Sequence, residues 1–260
     1  GKYLCVQFDG LKTRPRIKVY ELKTPRLGLY KSRTASMDEG WTRWVLEQFE
    51  FQYESIFDKD IRQGKLNEDF DVILFTDMRD RTIVQGNSEK VVPLEYAGGI
   101  GDDGVENIKQ FVKKGGTVIT LNSAADFAIK RFDLKIENSI TKINRKEFFI
   151  PGSILKVKIA INHPISYGYE KDGAIFFRRS PVFEVKQGIS IAKYPDENPL
   201  LSGWINGEKY LFNKSAIVDI PFGNGKIILI GFPAQYRAQS HGTFRFLFNA
   251  VYYGVAELGN

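Results

Sequence analysis

The stretch Gly115-Gly116-Thr117-Val118-Ile119-Thr120-Leu121-Asn122-Ser123-Ala124-Ala125-Asp126 decides how this chain is read. Two glycines release an apolar run of strand character, and small residues with helical preference follow at once. That is a buried strand passing directly into a helix. In α/β enzymes such a junction displays a nucleophile on a sharp turn of the form G-x-S-x-G or G-x-C-x-G. Here the turn reads Leu121-Asn122-Ser123-Ala124-Ala125, without either flanking glycine and with Ser123 at the nucleophile position.

The segments before the junction alternate in the same way. Arg26–Tyr30 reads as a first core strand. Ser36-Met37-Asp38-Glu39 reads as a capping box, with Ser36 as N-cap and Glu39 reaching back. Met37, Trp41, Trp44, Val45, Gln48 and Phe49 then recur at helical spacing. A short strand over Phe51–Ile56, a helix over Asp58–Leu66 and a buried strand over Asp71–Phe75 are expected next. Met78–Gly101 reads as a long loop and Gly104–Lys114 as a helix capped by Asp103 and Glu106 and stopped by Gly115. Alternation of this kind predicts a parallel sheet covered by helices on both faces.

Beyond Phe132 the pattern changes. Ile154–Ile159, Ala174–Phe177, Val182–Val185 and Ile189–Ala192 read as strands of an antiparallel region. Pro221-Phe222-Gly223-Asn224-Gly225 lies between the apolar runs Ala216–Ile220 and Lys226–Ile230 and predicts a hairpin. A helix over Thr243–Tyr253 closes the pattern. The expected fold class is therefore α/β, a flavodoxin-like parallel sheet with β-rich additions in the second half. Residues 1–25, punctuated by Pro15 and Pro25, read as a linker or edge segment with short strands at Cys5–Phe8 and Ile17–Tyr20, and residues 26–260 as one domain.

Composition narrows the function. The chain has 260 residues, 43% of them hydrophobic, which suffices for a sizeable core. No apolar run reaches the roughly 18 residues that a membrane-spanning helix needs. The chain opens on Gly1-Lys2 with no visible signal peptide, which reads as an internal boundary of a longer protein. Cys5 is the one cysteine, so no internal disulfide and no cysteine-based zinc site can form. The net charge of +6 is spread along the chain. Interleaved acids argue against a nucleic-acid partner, while attraction to an anionic envelope polymer remains compatible.

Gly99-Ile100-Gly101-Asp102-Asp103-Gly104 fits G-x-G-x-x-G, but no strand leads into it and its two aspartates would repel a pyrophosphate. Only two histidines occur, His163 and His241, in separate segments with no metal-binding spacing. Nucleophilic catalysis would use Ser123, with His241 as base and Asp126 or Asp77 orienting it. The plainer reading makes Ser123 a helix-capping residue. Two polar loops also converge at expected strand ends, where ligands bind in open α/β sheets. They contribute Arg33, Asp38 and Glu39 on one side and Gln235 and Arg237 on the other. With Asp77 and Asn122 they form a candidate binding crevice, and helix capping is the alternative role for the same groups.

Four phrases resemble a known family. They are Leu27-Gly28-Leu29-Tyr30-Lys31-Ser32-Arg33-Thr34-Ala35-Ser36-Met37-Asp38-Glu39-Gly40-Trp41-Thr42-Arg43-Trp44, Phe149-Ile150-Pro151-Gly152-Ser153, Leu201-Ser202-Gly203-Trp204, and Gly231-Phe232 with Gln235-Tyr236-Arg237-Ala238-Gln239-Ser240-His241-Gly242-Thr243-Phe244. Together they resemble the C-terminal, class I glutamine amidotransferase-like region of bacterial zinc carboxypeptidases of the carboxypeptidase A type. The resemblance implies a secreted or periplasmic accessory domain that positions substrate, stabilises its own peptidase domain or binds a peptide or cell-envelope polymer. It places zinc in the separate peptidase domain, so no cofactor is expected in this chain. It also places the amidotransferase cysteine at Ser123, and the acid of the family's His-x-Glu pair is missing after His241. The other readings are an independent serine hydrolase or amidotransferase-like enzyme using Ser123 and His241, and a carbohydrate- or peptide-binding module with Trp41, Trp204 and Tyr236 as stacking groups.

Overall fold

The computed structural model describes residues 9–10, 12–13 and 19–258. The expected strand at Cys5–Phe8 lies outside the described residues, as does the first half of that at Ile17–Tyr20. What is described near the start is β1 (Tyr20–Glu21), which pairs antiparallel with a strand at the far end of the chain, β14 (Glu257–Leu258), in a small sheet of its own. The expected edge segment is thus tied down by the last strand.

The first half alternates as its sequence predicts, through β2 (Leu27–Tyr30), α1 (Met37–Gln48), β3 (Glu54–Ile56), α2 (Asp58–Gln63), α3 (Leu66–Asp69), β4 (Val72–Phe75), α4 (Asp80–Gln85), α5 (Gly101–Lys113), β5 (Thr117–Leu121), α6 (Ala125–Arg131) and β6 (Ile136–Asn138). The second half is mostly strand. It comprises β7 (Ser153–Ile159), β8 (Asp172–Phe177), β9 (Phe183–Val185), β10 (Ile189–Lys193), β11 (Leu200–Ser202), β12 (Ser215–Phe222), β13 (Gly225–Ile230) and the closing helix α7 (His241–Tyr253).

One large sheet runs through both halves. Strands β3, β2, β4, β5 and β13 lie side by side in that order, all parallel. Counted along the chain this is the order 2-1-3-4-5 of flavodoxin-like doubly wound sheets. The sheet then turns antiparallel through β12, β10, β7 and β11, with β8 on β7 and β9 joining β6 to β12. The molecule is therefore a mixed α/β fold, with the parallel part first and the β-rich additions on one side.

Alternation of side chains explains the layering. Successive residues of a strand point to opposite faces, and a parallel strand covered by helices buries both. Leu27, Leu29, Val72, Leu74 and Ile119 enter one core with Leu46 of α1 and Phe246 and Leu247 of α7. Tyr30, Ile73, Phe75 and Val118 enter the other with Ile61, Ile108, Phe111 and Phe127. By contrast β7 alternates between buried and more open positions. The junction works as its glycines suggest. Gly115, at φ +112°, ends α5, and a Cβ on Gly116 would stand 2.4 Å from the Phe111 ring.

Several expectations are corrected. The buried face of α1 is Glu39, Thr42, Val45 and Leu46, not the aromatic series, and Met37, Trp44 and Phe49 are exposed. Ser36 Oγ accepts from the Glu39 amide at 3.2 Å, but no bond returns from the Glu39 carboxylate, so only half the capping box forms. The expected helix over Asp58–Leu66 breaks at Gly64 and Lys65, both at positive φ. Met78–Gly101 is no open loop. It contains α4, a single helical turn at Leu94–Tyr96 and a bridge between Asn87 and Gly98, because Ile83 and Val84 are buried in the second core. Helix α5 begins at Gly101 with no side-chain cap, so Asp103 lies inside its first turn.

Candidate functional site

In a sheet of this order the strands on either side of the reversal, β2 and β4, leave a crevice beyond their carboxyl ends. A cleft of about 500 Å³ opens there, lined by Thr34, Ala35, Ser36, Asp77, Met78, Arg79, Thr82, Asn122, Ser123, Arg178 and Arg179. Asp77 follows β4, and Asn122 and Ser123 follow β5.

Asp77 organises this corner. Its carboxylate accepts from Asn122 Nδ2 at 2.7 Å and from the Ser123 backbone amide at 3.1 Å, and it also accepts the Ser123 hydroxyl proton. Asn122 is 2% exposed and its Oδ1 has no hydrogen-bond partner. The residue held in the left-handed region is Asn122, at φ +49°. A nucleophile elbow exposes its reactive side chain from the strained position of such a turn. The structure thus puts the strain one residue before Ser123, on a side chain that cannot act as a nucleophile.

The catalytic grouping is not assembled. His241 is exposed at the start of α7, its ring 4.9 Å from that of Phe244. It lines a different cavity, with Tyr236, Phe176 and Ile154, and no hydrogen bond joins it to Ser123 among the described residues. Asp126 accepts from Asn138 Nδ2 at 3.0 Å, anchoring β6 rather than orienting a base. The second histidine has a partner elsewhere. His163 Nδ1 accepts from the Ile165 amide, which leaves the proton on Nε2, 3.2 Å from Asp219 Oδ2.

The predicted crevice residues divide. Asp77 and Asn122 line the cleft. Asp38 is half-buried and has no hydrogen bond or ion pair to its carboxylate among the described residues. Burial first, and then the nearby Asp77, push its pKa up, while Arg178 and Arg237 pull it down. Glu39 is buried, and its one ion pair among the described residues is with Arg43 at 3.7 Å. Gln235 is buried and donates to Thr42 Oγ1 at 3.2 Å, so it fastens the last loop to α1. Arg237 is exposed, at φ +51°, with its guanidinium 5.4 Å from the Tyr236 ring. Arg33 lies over Phe57 and Tyr96, at 4.6 and 5.1 Å, outside the cleft lining.

Three cleft cations escaped the sequence reading: Arg79, just before α4, and Arg178 and Arg179, in the turn from β8 to β9. All three are exposed, and among the described residues none makes an ion pair or a side-chain hydrogen bond. Their one trace in the sequence is the dibasic pair followed by Ser180-Pro181 at a strand end. The Gly99–Gly104 motif is structural. A Cβ on Gly99 would lie 2.3 Å from the Ile83 carbonyl oxygen. No group of three or more His, Cys, Asp or Glu side chains suited to a metal exists among the described residues. No helix among them is long and apolar enough to cross a membrane.

No protein-family model and no curated protein sequence matches the chain. Solved structures do. A cytoplasmic protein from Salmonella typhimurium is 13% identical, with a TM-score of 0.51 over 90% of this chain and 99% of that one. A ThuA-like protein from Bacteroides uniformis is 11% identical, with a TM-score of 0.52 and 95% of each chain covered. A β-galactosidase from Bacillus circulans is 11% identical, with a TM-score of 0.53, and 89% of this chain spans 30% of that one. At such identities the likeness is one of fold, a mixed α/β domain that also occurs inside a larger chain.

Proposed function

We propose that this chain is a non-catalytic, class I glutamine amidotransferase-like module that binds a ligand in the cleft at Asp77 and Asn122, as the accessory domain of a larger secreted or periplasmic zinc carboxypeptidase. The observation that carries the non-catalytic reading is the elbow. Its strained position holds Asn122, the Ser123 hydroxyl proton is given to Asp77, and His241 lines another cavity. The usual base for a serine nucleophile is a histidine within hydrogen-bond reach, and none lines this cleft. The peptidase attachment rests on the four family-like phrases. A fold of this kind within a third of a β-galactosidase supports the idea that such a module rides on a larger hydrolase.

The purified chain is expected to hydrolyse neither p-nitrophenyl esters nor glutamine. Turnover that disappears in Ser123→Ala would overturn the non-catalytic reading and revive the serine hydrolase. The peptidase assignment is tested separately on the intact gene product, by zinc content and release of C-terminal residues from peptides. An intact protein with neither rejects it. One observation favours a second reading as a carbohydrate- or peptide-binding module. Trp204 is 53% exposed beside Phe149, its ring 5.8 Å away. Trp204→Ala would weaken retention on an envelope polysaccharide if that reading holds.

A further inference from the structure

The cleft has an unbalanced lining. Arg79, Arg178 and Arg179 are among its lining residues, and Asp77 is the one carboxylate among them. That carboxylate accepts from three neutral donors and keeps one negative charge, against three positive ones on the arginines. Asp38, the next acid, acts on Arg178 only through space. Among the described residues none of the three makes an ion pair, and Arg178 has the Tyr236 ring 5.8 Å away, whereas two arginines elsewhere are paired. Arg26 meets Asp71 at 2.9 Å and Arg131 meets Asp80 at 2.8 Å.

The polar lining adds a second requirement. Asn122 Oδ1 is buried on the cleft wall and unpaired, an acceptor awaiting a donor. A buried acceptor left empty costs about 1–3 kcal/mol, so a ligand that supplies a hydroxyl would recover that cost. The Thr82 hydroxyl, also on the wall, has no bond among the described residues, and the Ser36 hydroxyl accepts one bond but donates none. An arginine fork matches the oxygens of a phosphate or carboxylate. A phosphate monoester carries about −1.5 to −2 charges at neutral pH, and three guanidinium groups favour that doubly charged form over a single carboxylate.

We propose that the cleft at the carboxyl ends of β2, β4 and β5 binds a small hydroxylated phosphomonoester, with Arg79, Arg178 and Arg179 holding the phosphate and Asn122 Oδ1 accepting from a ligand hydroxyl. This rests on the reading of the same cleft as a binding site and adds its ligand class. The full 260-residue chain is titrated calorimetrically with glycerol 3-phosphate, ribose 5-phosphate and glucose 6-phosphate, with glucose, gluconate and inorganic phosphate beside them. At least one phosphorylated polyol is expected to bind more tightly than all three comparators, and more weakly as salt rises. In Arg178→Ala/Arg179→Ala that affinity falls about tenfold or more, while the melting temperature of the free protein stays unchanged.

Equal or tighter binding of gluconate overturns the phosphate assignment, as does binding that survives loss of both arginines. If none of the three esters binds, the ligand class fails and the non-catalytic reading is untouched. If an ester binds and inorganic phosphate is released from it, the cleft assignment is upheld and the non-catalytic reading fails.

Discussion

The two ends of the sheet treat their charged residues in opposite ways. At the amino end of β13, Asp219, His163, Tyr253 and Lys226 form a hydrogen-bonded cluster that leaves Asp219 Oδ1 buried without a partner among the described residues. Tyr253 donates to Asp219 Oδ2 at 3.0 Å, His163 Nε2 lies 3.2 Å from the same oxygen, and Lys226 Nζ donates to the Tyr253 carbonyl at 3.1 Å. Burial pushes the Lys226 pKa down, and Asp219 partly opposes that. At the carboxyl end, Arg79, Arg178 and Arg179 stand around a cleft with no such partners. A histidine beside an aspartate looks like catalytic equipment, yet here it is sealed into the packing. The cleft at the carboxyl end has no histidine in its lining, and His241 at that end lines a separate cavity. Each end thus keeps a buried acceptor without a partner among the described residues, Asp219 Oδ1 in the packed cluster and Asn122 Oδ1 beside the cleft.

The contrast can be broken in order of effect. Asp219→Ala leaves His163 and Tyr253 without their acceptor, and should cost roughly 3 kcal/mol in urea unfolding while ligand affinity of the refolded protein is unchanged. A cost below about 0.5 kcal/mol would mean the cluster is not structural. Asp77→Ala frees Asn122 Nδ2 and the Ser123 amide, and is expected to cost about 1–2 kcal/mol, with ligand affinity lost as well because the cleft wall relaxes. Arg178→Ala alone should change stability by less than about 0.5 kcal/mol and act only on binding, which denaturation and calorimetry together would separate.

The smallest effect concerns pH. Burial, then Asp77, raises the Asp38 pKa above its unfolded value. A carboxyl group so raised favours the folded state in acid, and that contribution is lost as pH rises through the folded pKa. Asp38→Asn should therefore stabilise the protein slightly at neutral pH, with the gain vanishing below the ordinary carboxylate pKa of about 3.9. Asp71 behaves oppositely. Its hydrogen bonds to Arg26 hold its pKa down, so its contribution is present at neutral pH and is lost as pH falls through that lowered value. A stability profile of Asp38→Asn parallel to that of the natural chain across the acid range would sink the assignment.

The parallel strands and the junction were legible because their residues are buried on both faces, and continuous apolar runs such as Val72–Phe75 and Thr117–Leu121 carry that signature locally. The hairpin between β12 and β13 was legible because Gly223-Asn224 suits a two-residue turn. The apolar face of α1 was misread because aromatic residues at helical spacing imply burial only when a partner layer covers them. Here Trp44 and Phe49 are exposed, Phe49 touching Phe244 and Phe248 of α7, while Glu39 and Thr42 are buried. Of the candidate site, Asp77 and Asn122 were found, since both directly follow strands. Ser123 was placed correctly at the junction, but nothing local told which of two adjacent residues would take the positive φ.

By itself the sequence determined the period of most elements, the place where strand gives way to helix, and the change near Phe132 from strand–helix alternation to a strand-rich pattern; that β13 returns to pair parallel with β5 was not legible. Those properties depend on neighbours along the chain, through side-chain alternation and turn chemistry. Only the tertiary structure decided which charges share a cleft. Arg178 and Arg179 belong to the antiparallel additions, Arg79 to the start of α4 and Asn122 to the end of β5, residues more than 40 positions apart that the sheet brings together. It likewise decided that His241 and Ser123 line separate cavities. Such pairings are set by strand order and register, and those minimise the exposure of two cores at once rather than follow from any local run of residues.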